Sequence, residues 1–335
     1  MRVLFNNHMP FSLAHGGAQI QIERTKAGLE GLGVEVEPLR WWDEGQTGEI
    51  LHHFGRVPRN LLQVAQGKGM KVVTAPVMSG LGARPGWLRF LQRVLVRTAL
   101  LTAPGLAASW TEWGVYRLAD ACVALTPFEA SLMRKIFDAP PGRIHFVPNG
   151  VEEVFLKEGK RAGGPWLVCT ASIIEMKQVL KLAEMAVRAK TPLWVIGKAH
   201  AESDDYAQRF KAFAKQHSGV VRYEGAIADR QRLADVYREA RGFVLLSRWE
   251  GLSLSALEAA ACGCPLLLSN LPWAREFFKD RATYCPHDGS VQACARILRS
   301  FYEAAPGLEP PPPPMSWGDV ARQLKAVYES LLRNS

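Results

Sequence analysis

The sequence predicts an α/β protein made of two domains, each built on a parallel sheet. Three observations carry that expectation. The chain has 335 residues, too many for one ordinary domain and suited to two. Short continuous apolar runs, among them Val3-Leu4-Phe5 and Phe243-Val244-Leu245-Leu246, are each followed by a turn and a helical stretch. This is the pattern of strands buried on both faces and joined by helical crossovers. The alternation restarts at Trp166 after a polar, glycine-bearing stretch, Lys157 to Pro165, which marks a boundary. The expected division is residues 1–155, residues 156–309, and a proline-rich spacer with a final helix over residues 310–335.

In the first domain, Arg2 to Phe5 is the first strand, and His15-Gly16-Gly17-Ala18-Gln19 lies in the turn after it. Glycines at such a turn let the backbone approach a ligand closely; a plain loop is the other possibility. A helix then runs to Gly31-Leu32-Gly33, and Val34 to Leu39 is the second strand. Gly28, Gly31 and Gly33 are expected to cap that helix. Ile50 to Gly55, Lys71 to Pro76 and Cys122 to Pro127 are further strands, and Ile144 to Val151 leads towards the second domain. The sequence has neither a Gly-x-Gly-x-x-Gly fingerprint nor a Walker A loop.

Residues 84–101 stand out. Trp87, Leu91, Val94 and Leu95 share one helical face, and Arg89, Arg93 and Arg97 form a stripe at i, i+4, i+8. A basic amphipathic helix with a tryptophan suits an anionic membrane surface. A core helix with a solvated basic face fits the same pattern, and spacing leaves both readings open. Trp110 and Trp113, just beyond, are candidates for lining an acceptor site.

In the second domain, Trp166 to Thr170 is a strand and Ala171 to Lys177 its turn; Leu193 to Gly197 and Val220 to Gly225 are the next strands. The organising stretch follows. Phe243 to Leu246 is a strand, Glu250-Gly251 breaks it, Leu254 to Cys262 is a helix, and Gly263 with Pro265 ends that helix before the strand Leu266 to Leu268. Backbone N–H groups at such a helix start, those of Gly251, Leu252 and Ser253, attract an anion such as a phosphate. Glu250 and Glu258 bracket this site, roughly 12 Å apart at 1.5 Å per helical residue, a separation that suits one extended ligand with hydroxyls at both ends. Ser255-Ala256-Leu257-Glu258 also fits a capping box, with Glu258 reaching back to the helix start.

Glu250-x7-Glu258 after a strand ending in serine, followed by Ala261-Cys262-Gly263-x-Pro265, resembles the signature of retaining glycosyltransferases of the two-domain GT-B type, in particular glycosyltransferase family 4. The resemblance implies two Rossmann-like domains facing each other across a cleft. It implies that Glu250 holds the donor sugar hydroxyls and Glu258 the ribose. Gly16-Gly17-Ala18-Gln19 resembles the family opening, whose glycine lies beside donor phosphates and acceptor. Ile50 to Gly55 resembles the family strand ending in histidine, which brings His53 to the sugar side. Relatives carry a histidine where this chain has Pro76 and Val77, and an arginine, with a lysine five residues later, on the diphosphate. Here Ser172 replaces that arginine and Lys177 is kept. A surface lysine is the other reading of Lys177. Pro148-Asn149-Gly150-Val151 resembles the interdomain crossover, and the helix from Trp317 to Leu332 would cross back onto the first domain.

The implied reaction moves a sugar from a nucleoside diphosphate sugar to a hydroxyl acceptor, a glycan or a lipid-linked glycan, with retention at the anomeric carbon. Lys177 and the amides of Gly251, Leu252 and Ser253 would stabilise charge on the leaving diphosphate. No Asp-x-Asp clamp is present, so neither metal nor cofactor is expected. A net charge of +9 calls for an anionic partner; phosphates and an anionic membrane surface are favoured over nucleic acid. No apolar run reaches the length of a membrane span and no signal peptide precedes Met1, so a cytoplasmic protein is expected, peripheral at the inner face of the membrane if it meets one. The six cysteines lack metal-ligand spacing and read as reduced core thiols. A nucleotide-sugar epimerase on the same scaffold and a non-catalytic sugar- or nucleic-acid-binding protein are the rival readings.

Overall fold

A computed structural model of the chain describes residues 1–7, 16–76, 79–82, 84–103, 112–159 and 162–333. The chain divides into two compact units. One comprises Met1–Asn149 with Trp317–Ser335, the other Gly150–Ser316. The division therefore falls at Asn149, before the boundary expected at 155, and the proline-rich stretch belongs to the second unit. Backbone pairing explains the second point: Val151 N–H donates to Met315 C=O at 3.0 Å, so the outgoing and returning segments are tied together.

In the first unit the strands are β1 (Arg2–Asn7), β2 (Glu35–Pro38), β3 (Ile50–Phe54), β4 (Lys71–Ala75), β5 (Ala121–Ala124) and β6 (Ile144–Phe146). They form one parallel sheet in the order β2-β1-β3-β4-β5-β6. The central strands are buried except at their ends, Val3, Leu4, Ile50, Leu51, Val72 and Val73 among the buried residues, as expected where helices cover both faces of such a sheet.

The final helix, Trp317–Arg333, belongs to this unit and packs on the helix Gly17–Glu30. The contact needs a glycine. A Cβ at Gly28 would stand 2.9 Å from Ala321 Cβ and 3.0 Å from Trp317 C=O. Gly28 is thus a helix-crossing residue and not a cap. Of the three glycines, Gly33 alone takes the left-handed φ, +77°, while Gly31 stays right-handed at −61°. Tyr328 on the final helix shares a hydrogen bond with His52 Nδ1. Burial pushes His52 down to about 3, so it is neutral at ordinary pH.

The helix Gly86–Thr102 is not the core helix that its periodicity allowed. Val96 and Leu100 are its buried residues, while Trp87, Phe90, Leu91, Val94 and Leu95 are exposed. The arginine stripe is also divided. Arg97 pairs with Asp138 and donates to the carbonyl of Arg134, and Arg89 lies over the Phe128 ring. Arg93 faces solvent.

In the second unit the strands are β7 (Leu167–Thr170), β8 (Leu193–Ile196), β9 (Val221–Tyr223), β10 (Gly242–Leu245), β11 (Leu266–Ser269) and β12 (Thr283–Cys285). They are again parallel, in the order β12-β11-β10-β7-β8-β9. The six cysteines are buried and free; burial pushes the thiols of Cys122, Cys169 and Cys262 up to about 12, which suits inert core thiols.

Candidate functional site

Strand order decides where each unit can hold a ligand. In the second unit the chain runs outward from β7 through β8 to β9, returns to β10 beside β7, and runs outward the other way to β12. The order reverses between β7 and β10. At such a switch point the two following loops diverge to opposite faces, and the gap at the strands' carboxyl ends is the usual ligand crevice of an open parallel sheet. The loop after β7 carries Ser172 and Lys177. The loop after β10 carries Glu250, Gly251, Leu252 and Ser253.

Four contacts join these loops. Arg248 N–H donates to Met176 C=O at 2.8 Å. Gln178 Nε2 donates to Leu246 C=O at 2.8 Å and to His287 C=O at 3.1 Å. Arg248 pairs with Glu175 at 3.0 Å. Lys177 Nζ pairs with Glu250 Oε1, which Ser247 Oγ also reaches at 2.8 Å. The side chains of Lys177 and Glu250 are only 17% and 11% exposed, so Lys177 is no ordinary surface lysine.

Gln178 makes the turn possible. It sits at φ +51°, ψ +32°, between a helical turn Glu175–Lys177 and the helix Val179–Ala189. A left-handed backbone at a non-glycine residue is costly, and two side-chain hydrogen bonds hold it there. Gly197, after β8, supports the same loop. A Cβ at Gly197 would stand 1.8 Å from Ala171 C=O, so only glycine allows the loop bearing Ser172 to pass. Ser172 itself is half-buried, its carbonyl accepting from Ile174 N–H at 3.0 Å.

The helix Leu254–Ala261 begins as the sequence indicates, but its cap is Ser253, whose Oγ accepts from Ala256 N–H at 3.4 Å. The Ser255–Glu258 capping box does not form. Glu258 is buried and instead accepts from Arg230 Nη2 and from Tyr237 Oη, the latter at 3.4 Å. Arg230 Nε bonds Glu152 at 2.7 Å, and its guanidinium lies 4.7 Å from the centre of the Phe155 ring. Burial raises the Glu258 carboxyl above its usual range, against the pull of Arg230. The two glutamates therefore differ in setting. Glu250 lies in the switch-point loop against Lys177, and Glu258 is anchored one helix turn inward against Arg230.

In the first unit the order reverses between β1 and β3. Across that gap Asn6 Nδ2 and His53 Nδ1 are 2.9 Å apart, and both residues are buried. Gly16, at φ +150°, precedes the helix Gly17–Glu30 that follows β1. His53, Gly16 and Gly17 thus belong to the elements flanking this switch point. Trp113 is half-buried and packs against the core formed by Tyr116, Phe137 and their neighbours. Trp110 lies outside the described residues, as does Val77.

Gln178, Gly197, Arg230, Tyr237 and Glu152 were not singled out from the sequence, because their part depends on neighbours distant in the chain. Ser247 entered only as the serine that ends the strand, without its contact to Glu250.

Two parallel α/β units, each with a switch point in its strand order, define a fold of the GT-B glycosyltransferase type. Sucrose-phosphate synthase from Thermosynechococcus elongatus shares the fold with a TM-score of 0.72 at 16% identity, covering 100% of both chains. Anabaena Alr3699/HepE, in complex with UDP and glucose, shares it with a TM-score of 0.62 at 12% identity, covering 98% of this chain and 99% of that one. Residues 152–311 match the family described as Glycosyl transferases group 1. Among curated relatives, a D-inositol 3-phosphate glycosyltransferase from Acidothermus cellulolyticus is 28% identical over 48% of this chain and 40% of its own length. The chain spans 32% to 57% of the length of these curated relatives. No helix among the described residues is long and apolar enough to cross a membrane.

Proposed function

We propose that the protein is a retaining, metal-independent glycosyltransferase that moves a sugar from a nucleoside diphosphate sugar to a hydroxyl acceptor. The observation that carries this reading is the pairing of Lys177 with Glu250 at the β7–β10 switch point. One cation and one carboxylate there suit the two halves of a sugar diphosphate. Lys177 would turn from Glu250 to the diphosphate, and Glu250 would then accept hydrogen bonds from the sugar hydroxyls. Glu258 would receive the ribose, sharing its carboxylate with Arg230. The leaving diphosphate would help remove the acceptor proton on the same face of the sugar, with Lys177 and the start of the helix Leu254–Ala261 stabilising the charge that grows on it. The group 1 match over residues 152–311 and the UDP and glucose bound to the Anabaena neighbour support a nucleotide-sugar donor. In this reading the acceptor is a glycan or a lipid-linked glycan, the chain acts in the cytoplasm, and an anionic membrane surface is its peripheral partner.

A thermal-shift panel of UDP-, GDP- and ADP-sugars is the direct test, since a ligand that binds only the folded state raises Tm. One nucleotide class should stand out. The same sugar nucleotide should turn over when acceptor is added, giving a product of retained anomeric configuration by NMR. Conversion to an isomeric sugar nucleotide without acceptor would favour an epimerase instead, and no shift with any nucleotide would sink the reading.

A further inference from the structure

The helix Gly86–Thr102 holds to its unit by a narrow strip. Val96 and Leu100 are buried, and they lie on one side. Trp87, Phe90, Leu91, Val94, Leu95 and Leu101 are between 48% and 79% exposed. At 100° per residue these six span roughly 140° of the helix circumference, opposite the buried strip. Monomeric proteins seldom leave so continuous an apolar face in water.

The frame of this face is cationic. The helix contains Arg89, Arg93 and Arg97 and no acidic residue. Arg84, just before it, is exposed and donates to Gln92 at 2.8 Å. Arg134 and Lys135, whose carbonyls hold Arg97, are exposed beside it. Two copies meeting through this face would bring these like charges together, which is unfavourable. A sheet of phosphate headgroups over an acyl layer matches both features at once: the apolar side chains enter the boundary region and the guanidinium groups stay with the phosphates.

We propose that this face docks on the surface of an anionic phospholipid bilayer, with Trp87, Phe90, Leu91 and Leu95 entering the headgroup–acyl boundary and Arg84 and Arg93 contacting lipid phosphate. Insertion supplies most of the binding and charge the rest, because two of the three helix arginines are already engaged with the protein. The docking deepens the proposed function by naming the acceptor class, a hydroxyl borne on a membrane lipid, and rests on that reading for this point alone.

The test is flotation of the full chain with unilamellar vesicles, of phosphatidylcholine alone and of phosphatidylcholine with phosphatidylglycerol. Wild type should float with the mixed vesicles and much less with the neutral ones. Trp87→Ser combined with Phe90→Ser should weaken binding about tenfold or more, with Tm unchanged because both side chains are exposed. Arg93→Gln should weaken it about twofold to fivefold and flatten its salt dependence. Trp41→Ser with Trp42→Ser, exposed aromatics elsewhere in the same unit, should leave it unchanged. No flotation of wild type at low salt, or equal flotation of the Trp87/Phe90 variant, overturns the docking. A dimer that the same variant converts to monomer, without vesicle binding, assigns the face to a second copy and also overturns it. The nucleotide-sugar thermal shift is run alongside. Flotation without a shift keeps the docking and defeats the transferase reading; a shift without flotation does the reverse.

Discussion

Lys177 Nζ donates to Glu250 Oε1, joining residues 73 positions apart in the chain across the gap between β7 and β10. The pair is partly buried, and Ser247 Oγ donates to the same carboxylate oxygen at 2.8 Å. In the proposed reading, a diphosphate that took Lys177 would release Glu250 to the donor's own sugar. Binding and orientation of the donor would then be coupled through one ion pair.

Lys177→Ala should lower kcat by at least a factor of ten, about 1.4 kcal/mol of barrier, while nucleoside binding falls less. Ser172 stands where the family resemblance implies an arginine, so in the proposed reading a single lysine would carry the diphosphate and be hard to replace. EDTA should leave the wild-type rate unchanged. Steady-state kinetics decide both points: loss of activity with EDTA and its return with magnesium or manganese would overturn the metal-free mechanism, and a fully active Lys177→Ala protein would remove the residue from the site.

Glu258→Gln should weaken nucleoside diphosphate and nucleotide-sugar binding alike, by roughly tenfold, as the loss of a charge-assisted hydrogen bond would. The variant keeps the shape of the side chain, and Arg230 retains Glu152 as partner. Calorimetric titration of free nucleoside diphosphate against both proteins measures this. Unchanged affinity would leave Glu258 only its packing and ion-pair role.

Arg230→Ala should be more damaging to folding than to any single contact. It strands Glu258, whose side chain is 7% exposed, and removing one partner of a buried pair costs about 3 kcal/mol. In a Glu258→Gln background the same change should cost less, because the more deeply buried of Arg230's two carboxylate partners then carries no charge. Urea unfolding of the four proteins gives the coupling; strictly additive effects would show that the pair is not interacting.

Gly197→Ala should destabilise the second unit by about 2 kcal/mol and weaken donor binding together. The new methyl would meet Ala171 C=O, which is backbone and cannot swing aside, so the loop carrying Ser172 and Lys177 must shift. A variant with wild-type stability and wild-type donor affinity would contradict the close approach.

Stability should also depend on pH through His52. The unfolded chain takes up a proton at His52 near pH 6.5, while burial keeps the folded form neutral down to about 3. Stability from this group is therefore complete above about pH 6.5 and falls as the pH drops towards 3, by at most about 1.4 kcal/mol per pH unit. Denaturant melts across that range should show His52→Gln with a slope shallower by about one proton. Equal slopes would mean that His52 titrates normally.

The sequence by itself determined most of the strands, though not β6 or β12, the two-domain α/β class and the roster of polar residues in the loops after β7 and β10. These are local properties. A run such as Phe243-Val244-Leu245-Leu246 must be buried wherever it lies, and Gly263 with Pro265 must end a helix. Pairing was decided only in three dimensions. Ser253 caps the helix and Glu258 turns to Arg230, although Ser255-x-x-Glu258 has capping-box spacing; Thr126-x-x-Glu129, of the same spacing, does bond at its helix start, with Thr126 Oγ1 accepting from Glu129 N–H and Glu129 accepting from Leu125 N–H. The difference is where each helix begins: Thr126 is the N-cap of its helix, whereas Ser255 lies inside the helix that Ser253 caps, and Glu258 meets Arg230 from another element. Gly28 reads as a cap until the final helix crosses it. The apolar face of residues 86–102 reads equally as core or as surface, because periodicity records that a face is apolar and not what covers it. Such outcomes depend on which distant segments share a neighbourhood, and chain order alone carries no measure of that distance.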